Sequence, residues 1–198
     1  ITQPRQVSSS SAGGWVNFIP RLAIAQNRAF VVGESGNMAM ADVADSRRPF
    51  FHAARFWART APAEVIALPT LPGQENALVY VASGRHGLQI ISWADVTHPE
   101  RIGSLDPPGN THAVTIAATA DSTLAYVSDR DGDLHIVDVN QSENPHQLGS
   151  YDSTGMTWSV ALAGDVAYVA AGEQGLHMVD MHDRARPQKL GSFSPFDS

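Results

Sequence analysis

Short apolar runs recur along the chain, each separated from the next by a few polar or glycine positions. Four of them open on an aromatic residue that is followed nineteen positions later by proline: Phe30 and Pro49, Tyr80 and Pro99, Tyr126 and Pro145, Tyr168 and Pro187. The starts lie 50, 46 and 42 residues apart, so the constant offset marks a repeat protein rather than chance spacing. Eight residues past each aromatic a second apolar run begins, at Met38, Leu88, Leu134 and Leu176. Just before it stand Asn37, Gly87, Asp133 and Gly175, residue types that accept the positive φ of a tight turn. The segments AFVV and MAMADV, VYVA and LQIISW, AYVS and LHIVDV, and AYVA and LHMVDM are therefore expected to form four hairpins.

Two further columns are polar. Asp42, Ser92, Asp138 and Asp180 sit seven residues before each proline, and Asp45, Asp95, Gln141 and Asp183 four before it. Short polar side chains there can bond the backbone of a turn, and the proline fixes φ where no ladder donor is needed. Another strand follows each proline, with Ile102-Gly103-Ser104-Leu105, Leu148-Gly149-Ser150-Tyr151 and Leu190-Gly191-Ser192-Phe193 in register, while the first repeat departs with Ala53-Ala54. An apolar stretch also precedes each aromatic, at Leu22 to Ala25, Val65 to Leu68, Val114 to Ala117 and Val160 to Ala163. Each unit then has four strands, A to D, and four-stranded units of about 40 to 45 residues are the mark of propeller blades. The expected fold is an all-β β-propeller of four four-stranded antiparallel blades, at about 20–57, 63–105, 112–151 and 158–194. It is either a closed four-bladed ring or part of a larger seven- or eight-bladed propeller.

The segments AYVSDRDGDLHIVDVNQSENPHQLGSY and AYVAAGEQGLHMVDMHDRARPQKLGSF resemble the LVIVD repeat, a propeller-type unit of bacterial and archaeal surface or secreted proteins. The resemblance covers residues 20 to 194, most closely in the last two repeats and most loosely in the first. It implies a fold and an extracytoplasmic location (secreted, periplasmic or cell surface). It implies no catalytic residues, because the family has no agreed set.

Composition fits a soluble, folded domain. Of 198 residues 43% are apolar and 17% charged, and 16 glycines and 12 prolines supply the turns. No apolar run approaches the roughly 18 residues of a membrane helix, so no membrane span is expected. A net charge of −7 argues against nucleic acid and anionic lipid as partners. The absence of cysteine excludes disulfides and leaves the compartment open, although it suits an exported protein; the resemblance tips the choice towards an extracytoplasmic one. The first residue is Ile rather than Met, which suggests a mature or trimmed product. Residues 1–14, with Ser8 to Ser11 and Gly13-Gly14, are expected to be a flexible leader ahead of a propeller domain at 15–198. No strand exchange between termini is visible to close the ring, so a second chain or a homodimer is a candidate for completing it.

In a propeller the D-to-A and B-to-C loops meet at one end of the central channel. There the hairpins offer Glu34, Arg85, His86, Asp129, Arg130, Asp131, Glu173 and Gln174, and the D-to-A loops add Arg59, Asp106, Asn110, Thr111, His112, Asp152, Met156 and Trp158. His112 and Trp158 occupy equivalent places ahead of Ala113-Val114 and Ser159-Val160. They are either a binding surface, with Asp106, Asp152, Thr111, Arg85, His86, Arg130 and Glu173 around it, or a plug for the channel and a loop bond.

Asp129-Arg130-Asp131-Gly132-Asp133 alternates carboxylates with a glycine, which invites a calcium reading at Asp129 and Asp131. Against it, Leu134 falls where an EF-hand needs glycine, and a solvated acidic turn explains the same residues. His135 and His177 share a column in separate repeats, too far apart for one ion and better read as packing. No Gly-x-Ser-x-Gly or phosphate-loop motif is present. The sequence thus favours a non-catalytic, extracytoplasmic module that binds a protein or glycan through its channel-mouth loops or joins a surface assembly, with no cofactor. The alternative is a hydrolase or lyase with His112 and Asp106 or Asp152 as acid and base, assisted by a cation.

Overall fold

The computed structural model describes residues 21–25, 27–32, 38–45, 47, 50–54, 65–67, 78–95, 97–119 and 121–194. The expected leader at 1–14 and the loop candidates Glu34 and Arg59 lie outside the described residues. The first unit contains β1 (Arg21–Ala25), β2 (Arg28–Val32), β3 (Met38–Asp42) and β4 (Phe50–Ala54). The second contains β5 (Val65–Ala67), β6 (Leu78–Ala82), β7 (Leu88–Ser92) and β8 (Glu100–Leu105). The third contains β9 (Thr111–Ala118), β10 (Thr123–Asp129), β11 (Asp133–Asp138) and β12 (His146–Asp152). The fourth contains β13 (Ser159–Ala163), β14 (Val166–Ala170), β15 (Leu176–Asp180) and β16 (Gln188–Phe193). Each unit is one four-stranded antiparallel sheet paired in chain order, the blade meander expected from the repeat. The strands coincide with the apolar runs, and a 3-10 turn spans Gly172–Gln174. No helix among the described residues is long and apolar enough to cross a membrane.

The two offset acids do the turn chemistry their columns suggest. The amides of Ala44, Asn140 and His182 donate to Oδ1 of Asp42, Asp138 and Asp180, and that of Ala94 to the Ser92 hydroxyl. In the second column the amides of Arg47, Thr97 and Ala185 donate to Asp45, Asp95 and Asp183. The Thr97 hydroxyl and amide, with His98, hold the Asp95 carboxyl down at about 2.

Blades stack face on face, with β1 beside β5, β5 beside β9 and β9 beside β13. The face turned towards the next blade is aromatic and large, and the face turned back is built from smaller residues. Tyr80, Leu88 and Ile90 of the second blade pack on Val114, Ala125, Val127 and Val137 of the third. Tyr126, Leu134, Ile136 and Tyr151 of the third pack in turn on Val160, Ala167, Val169 and Val179 of the fourth. At the first junction Phe30 meets Trp93 edge-on, ring centroids 5.5 Å apart. Continuous burial of both faces in the middle blades explains why their strands read as nearly unbroken apolar runs.

The D strands carry a bulge in the same place three times. Pairing skips from Ile90/Gly103 to Ile91/Arg101, from Ile136/Gly149 to Val137/Gln147 and from Met178/Gly191 to Val179/Lys189. The residue skipped is Ile102, Leu148 or Leu190, directly before a glycine. That glycine serves the neighbouring blade. A Cβ on Gly103 would collide with the Ser142 carbonyl of the third blade, and one on Gly149 with the Arg184 and Ala185 carbonyls of the fourth. In the first blade Met40/His52 and Ala41/Phe51 pair without a skip, in keeping with its departure from the Ile/Leu-Gly-Ser pattern.

Candidate functional site

Hydrogen bonds tie the B-to-C loops to the D-to-A loops. Gly84 and Thr111 exchange backbone bonds of 3.1 Å in each direction, joining the second hairpin to the start of β9. In the next pair of blades Ser153 donates to Gly132 and Thr157 to the Asp129 carbonyl, at 2.9 and 3.1 Å. The Arg130 amide donates to the Asn110 carbonyl, in the loop between the second and third blades.

His112 and Trp158 do come together at this end. Their rings meet edge to face, with centroids 5.2 Å apart and planes at 84°. His112 is placed by a bulge, since Ala113 pairs with Ser128 and Thr111 with Asp129, leaving His112 as the extra residue. Bulges re-aim a side chain, and here the imidazole is turned towards the next blade's loop. Trp158 is fixed at its backbone by a 2.9 Å bond to the Ala170 carbonyl, and its indole lies along Gly172. It nonetheless leaves half of itself in solvent, at 50% exposure. The loop leading to it holds Thr154 at φ 58, an unusual conformation for a β-branched residue.

The other candidates divide by exposure. Arg85, His86, Asp106, Arg130, Asp131, Asp152 and Glu173 are exposed in the B-to-C and D-to-A loops. Asp152 Oδ1 accepts the Thr154 amide at 2.7 Å. Thr111 is buried, and its hydroxyl donates to the Gly84 and Gly87 carbonyls at 2.9 and 3.3 Å, so it staples two blades together. Thr157 does the same in the next blade, donating to the Gly132 carbonyl at 3.0 Å and sharing a 2.9 Å bond with Ser153. Thr111 and Thr157 occupy one column, directly ahead of His112 and Trp158.

Asp129 and Asp131 are not placed alike. Asp129 is fully buried, and its Oδ1 accepts the amides of Asp131, Gly132 and Asp133 at 2.8, 2.8 and 2.9 Å. Its Oδ2 contacts His135 Nε2 at 2.9 Å. Gly132 supplies the loop's φ of 118. Donor atoms of Asp129, Asp133 and His135 lie within 4.8 Å of one another, the closest the described residues come to a metal triad. A cation there would face three amide hydrogens around one Asp129 oxygen and the imidazole on the other. Burial and the Asp129 charge, with Asp152 and Asp131 beyond, push the Asp133 carboxyl up despite the opposing influence of His135.

The Asp129 and His135 pair escaped sequence reasoning, although the register contains it. His135 lies opposite Val127, so it shares a face with the residue two positions on, Asp129. His177, in the same column, takes a different partner. Its Nδ1 lies 2.9 Å from the Tyr151 hydroxyl of the third blade, and Lys189 Nζ stands 3.4 Å from its Nε2. Burial first, and the Lys189 charge second, lower its pKa.

The LVIVD repeat family matches residues 123–153 and 154–194. The matched stretches take in β10 to β12 of the third blade and all four strands of the fourth. No curated protein matches the sequence. Among solved structures, the computationally designed Ika4 protein is similar with a TM-score of 0.63 at 10% identity, over 90% of this chain and 99% of that one. A functionally unknown protein from Desulfotomaculum acetoxidans aligns over 90% of this chain and 56% of its own, with a TM-score of 0.66 and 13% identity. The β-propeller domain of Myceliophteria thermophila Cps50 (Swd1) aligns over 89% of this chain and 59% of its own, with a TM-score of 0.60 and 15% identity. At such identities the likeness concerns the fold, which is that of a β-propeller. The chain spans little more than half the length of the last two.

Proposed function

We propose that this chain is a non-catalytic propeller module of an extracytoplasmic protein. It binds a protein or glycan partner through its channel-mouth loops or forms part of a surface assembly. The observation that carries the reading is the His112 and Trp158 pair, a half-exposed indole braced by an imidazole that a bulge delivers to it. An aromatic face held this way offers area at small entropic cost, suited to a sugar ring or a partner's apolar side chain. The unusual φ of Thr154 in the same loop supports a functional role there. Exposed Arg85, His86, Arg130, Asp106, Asp152 and Glu173 give the rim both charge signs. The LVIVD repeats and the lack of cysteine support the extracytoplasmic assignment.

Immobilised protein exposed to a glycan array and to an extract of surface proteins tests this reading. Trp158→Ala and His112→Ala are expected to lose at least about tenfold in capture, as truncated interface anchors do, while melting as the parent does. Capture unchanged in both variants would sink the proposal.

A further inference from the structure

We infer that the partner seated on Trp158 is a protein that presents an arginine side chain, held between the indole and the carboxylates of the neighbouring loops. The inference rests on the binding reading above and narrows it from a protein or glycan to a basic protein segment.

Acid is concentrated in the loops bonded to the one that carries Trp158. Asp133 and Asp152 lie opposite each other in the ladder of β11 and β12. The loop that follows Asp152 is tied back to the hairpin at 129–133, where the Ser153 and Thr157 amides donate to the Gly132 and Asp129 carbonyls. On its other side the indole lies along Gly172, and the next residue is the exposed Glu173. Asp131 and Asp152 are exposed and Asp133 is half-buried. Against these four carboxylates the loops at 129–133, 152–158 and 171–175 offer one cation, Arg130.

That charge is not neutralised within the chain. Among the described residues the ion pairs join His98 to Asp95, His135 to Asp129 and Arg184 to Asp165, and none takes in Asp131, Asp133, Asp152 or Glu173. The crowding is felt at Asp133, whose carboxyl is pushed up by burial first and then by the charges of Asp129, Asp152 and Asp131. A cation arriving from outside relieves this repulsion.

The indole decides which cation. Trp158 is half exposed and braced by His112, and the face of an indole attracts positive charge more strongly than that of any other side chain. A planar guanidinium can lie on the ring and still turn its N–H edge to carboxylates on the flanking loops, whereas the ammonium of lysine is a compact, strongly hydrated point charge. A neutral sugar would use the ring and leave the acids uncompensated. An acidic one would be repelled. The net charge of −7 adds long-range attraction for a basic partner.

Titration calorimetry of the full chain with two short peptides, one alternating glycine with arginine and one alternating glycine with glutamine, tests this. The arginine peptide is expected to bind at least about tenfold more tightly, with the advantage shrinking in about 0.5 M salt. Trp158→Ala should lose most of that preference. So should the double variant Asp131→Asn, Glu173→Gln, whose two carboxylates make no hydrogen bond or ion pair among the described residues, so that its melting stays that of the parent. Equal binding of the two peptides, or a preference that survives in both variants, would overturn the inference. If glycans or surface proteins are captured through Trp158 while the arginine peptide is not preferred, the inference alone fails; if no capture depends on Trp158, the binding reading fails with it.

Discussion

Asp129 shows how one side chain can look like a ligand and act as a brace. Three amide hydrogens surround one of its oxygens and an imidazole meets the other, so its charge is spent on closing the hairpin. Asp129→Ala is expected to destabilise the fold by about 3 kcal/mol in chemical denaturation, because bonds to a buried charged group are lost and their donors stay behind. Added calcium is expected to leave the melting temperature unchanged. Asp133 behaves in the opposite sense. Its folded pKa is raised, so the folded protein binds its proton more tightly and the ionised form costs stability as pH rises above the unfolded value of 3.8. Asp133→Asn should therefore stabilise at neutral pH, with the gain fading below about pH 4 in a series of melts. His177 has a lowered pKa, so the unfolded chain binds its proton first. Stability should fall as pH drops from the unfolded value of 6.5 towards the folded one, and His177→Gln should flatten that limb of the curve. The sequence revealed Asp129 as an unusual acid and His135 as a column residue, but not their pairing. It emerges only when strand register puts positions six apart on one face.

At the scale of the element, the D strand joins local and long-range requirements. The Ile/Leu-Gly-Ser pattern was legible as a strand in register, and its meaning lay in the neighbouring blade. The first residue is bulged out, and the glycine makes room for a carbonyl of the next unit. Two substitutions in one column should then behave differently. Gly149→Ala is expected to cost about 2 kcal/mol, because the Arg184 and Ala185 carbonyls already fill the space. Gly191→Ala should leave the melting of a single chain within about 0.5 kcal/mol of the parent. Parallel denaturation of the two variants measures the difference. The turn acids were readable in advance because each bonds an amide only two residues on. The Thr111 and Thr157 staples were not, since their partners are the hairpins of the preceding blades.

At the scale of the whole molecule, successive blades meet by laying a large face on a smaller one: Tyr80, Leu88 and Ile90 on Val114, Ala125 and Val127, then Tyr126, Leu134 and Ile136 on Val160, Ala167 and Val169. The repeated columns made the four units legible. The bonds between their loops were not, because they join residues twenty or more positions apart. Those loops set His112 against Trp158. The most direct measurement is capture of glycans and surface proteins by the immobilised chain beside its Trp158→Ala variant. The account predicts capture by the parent and a loss of at least about tenfold in the variant, with the melting transition unchanged. Equal capture by the two proteins would contradict it.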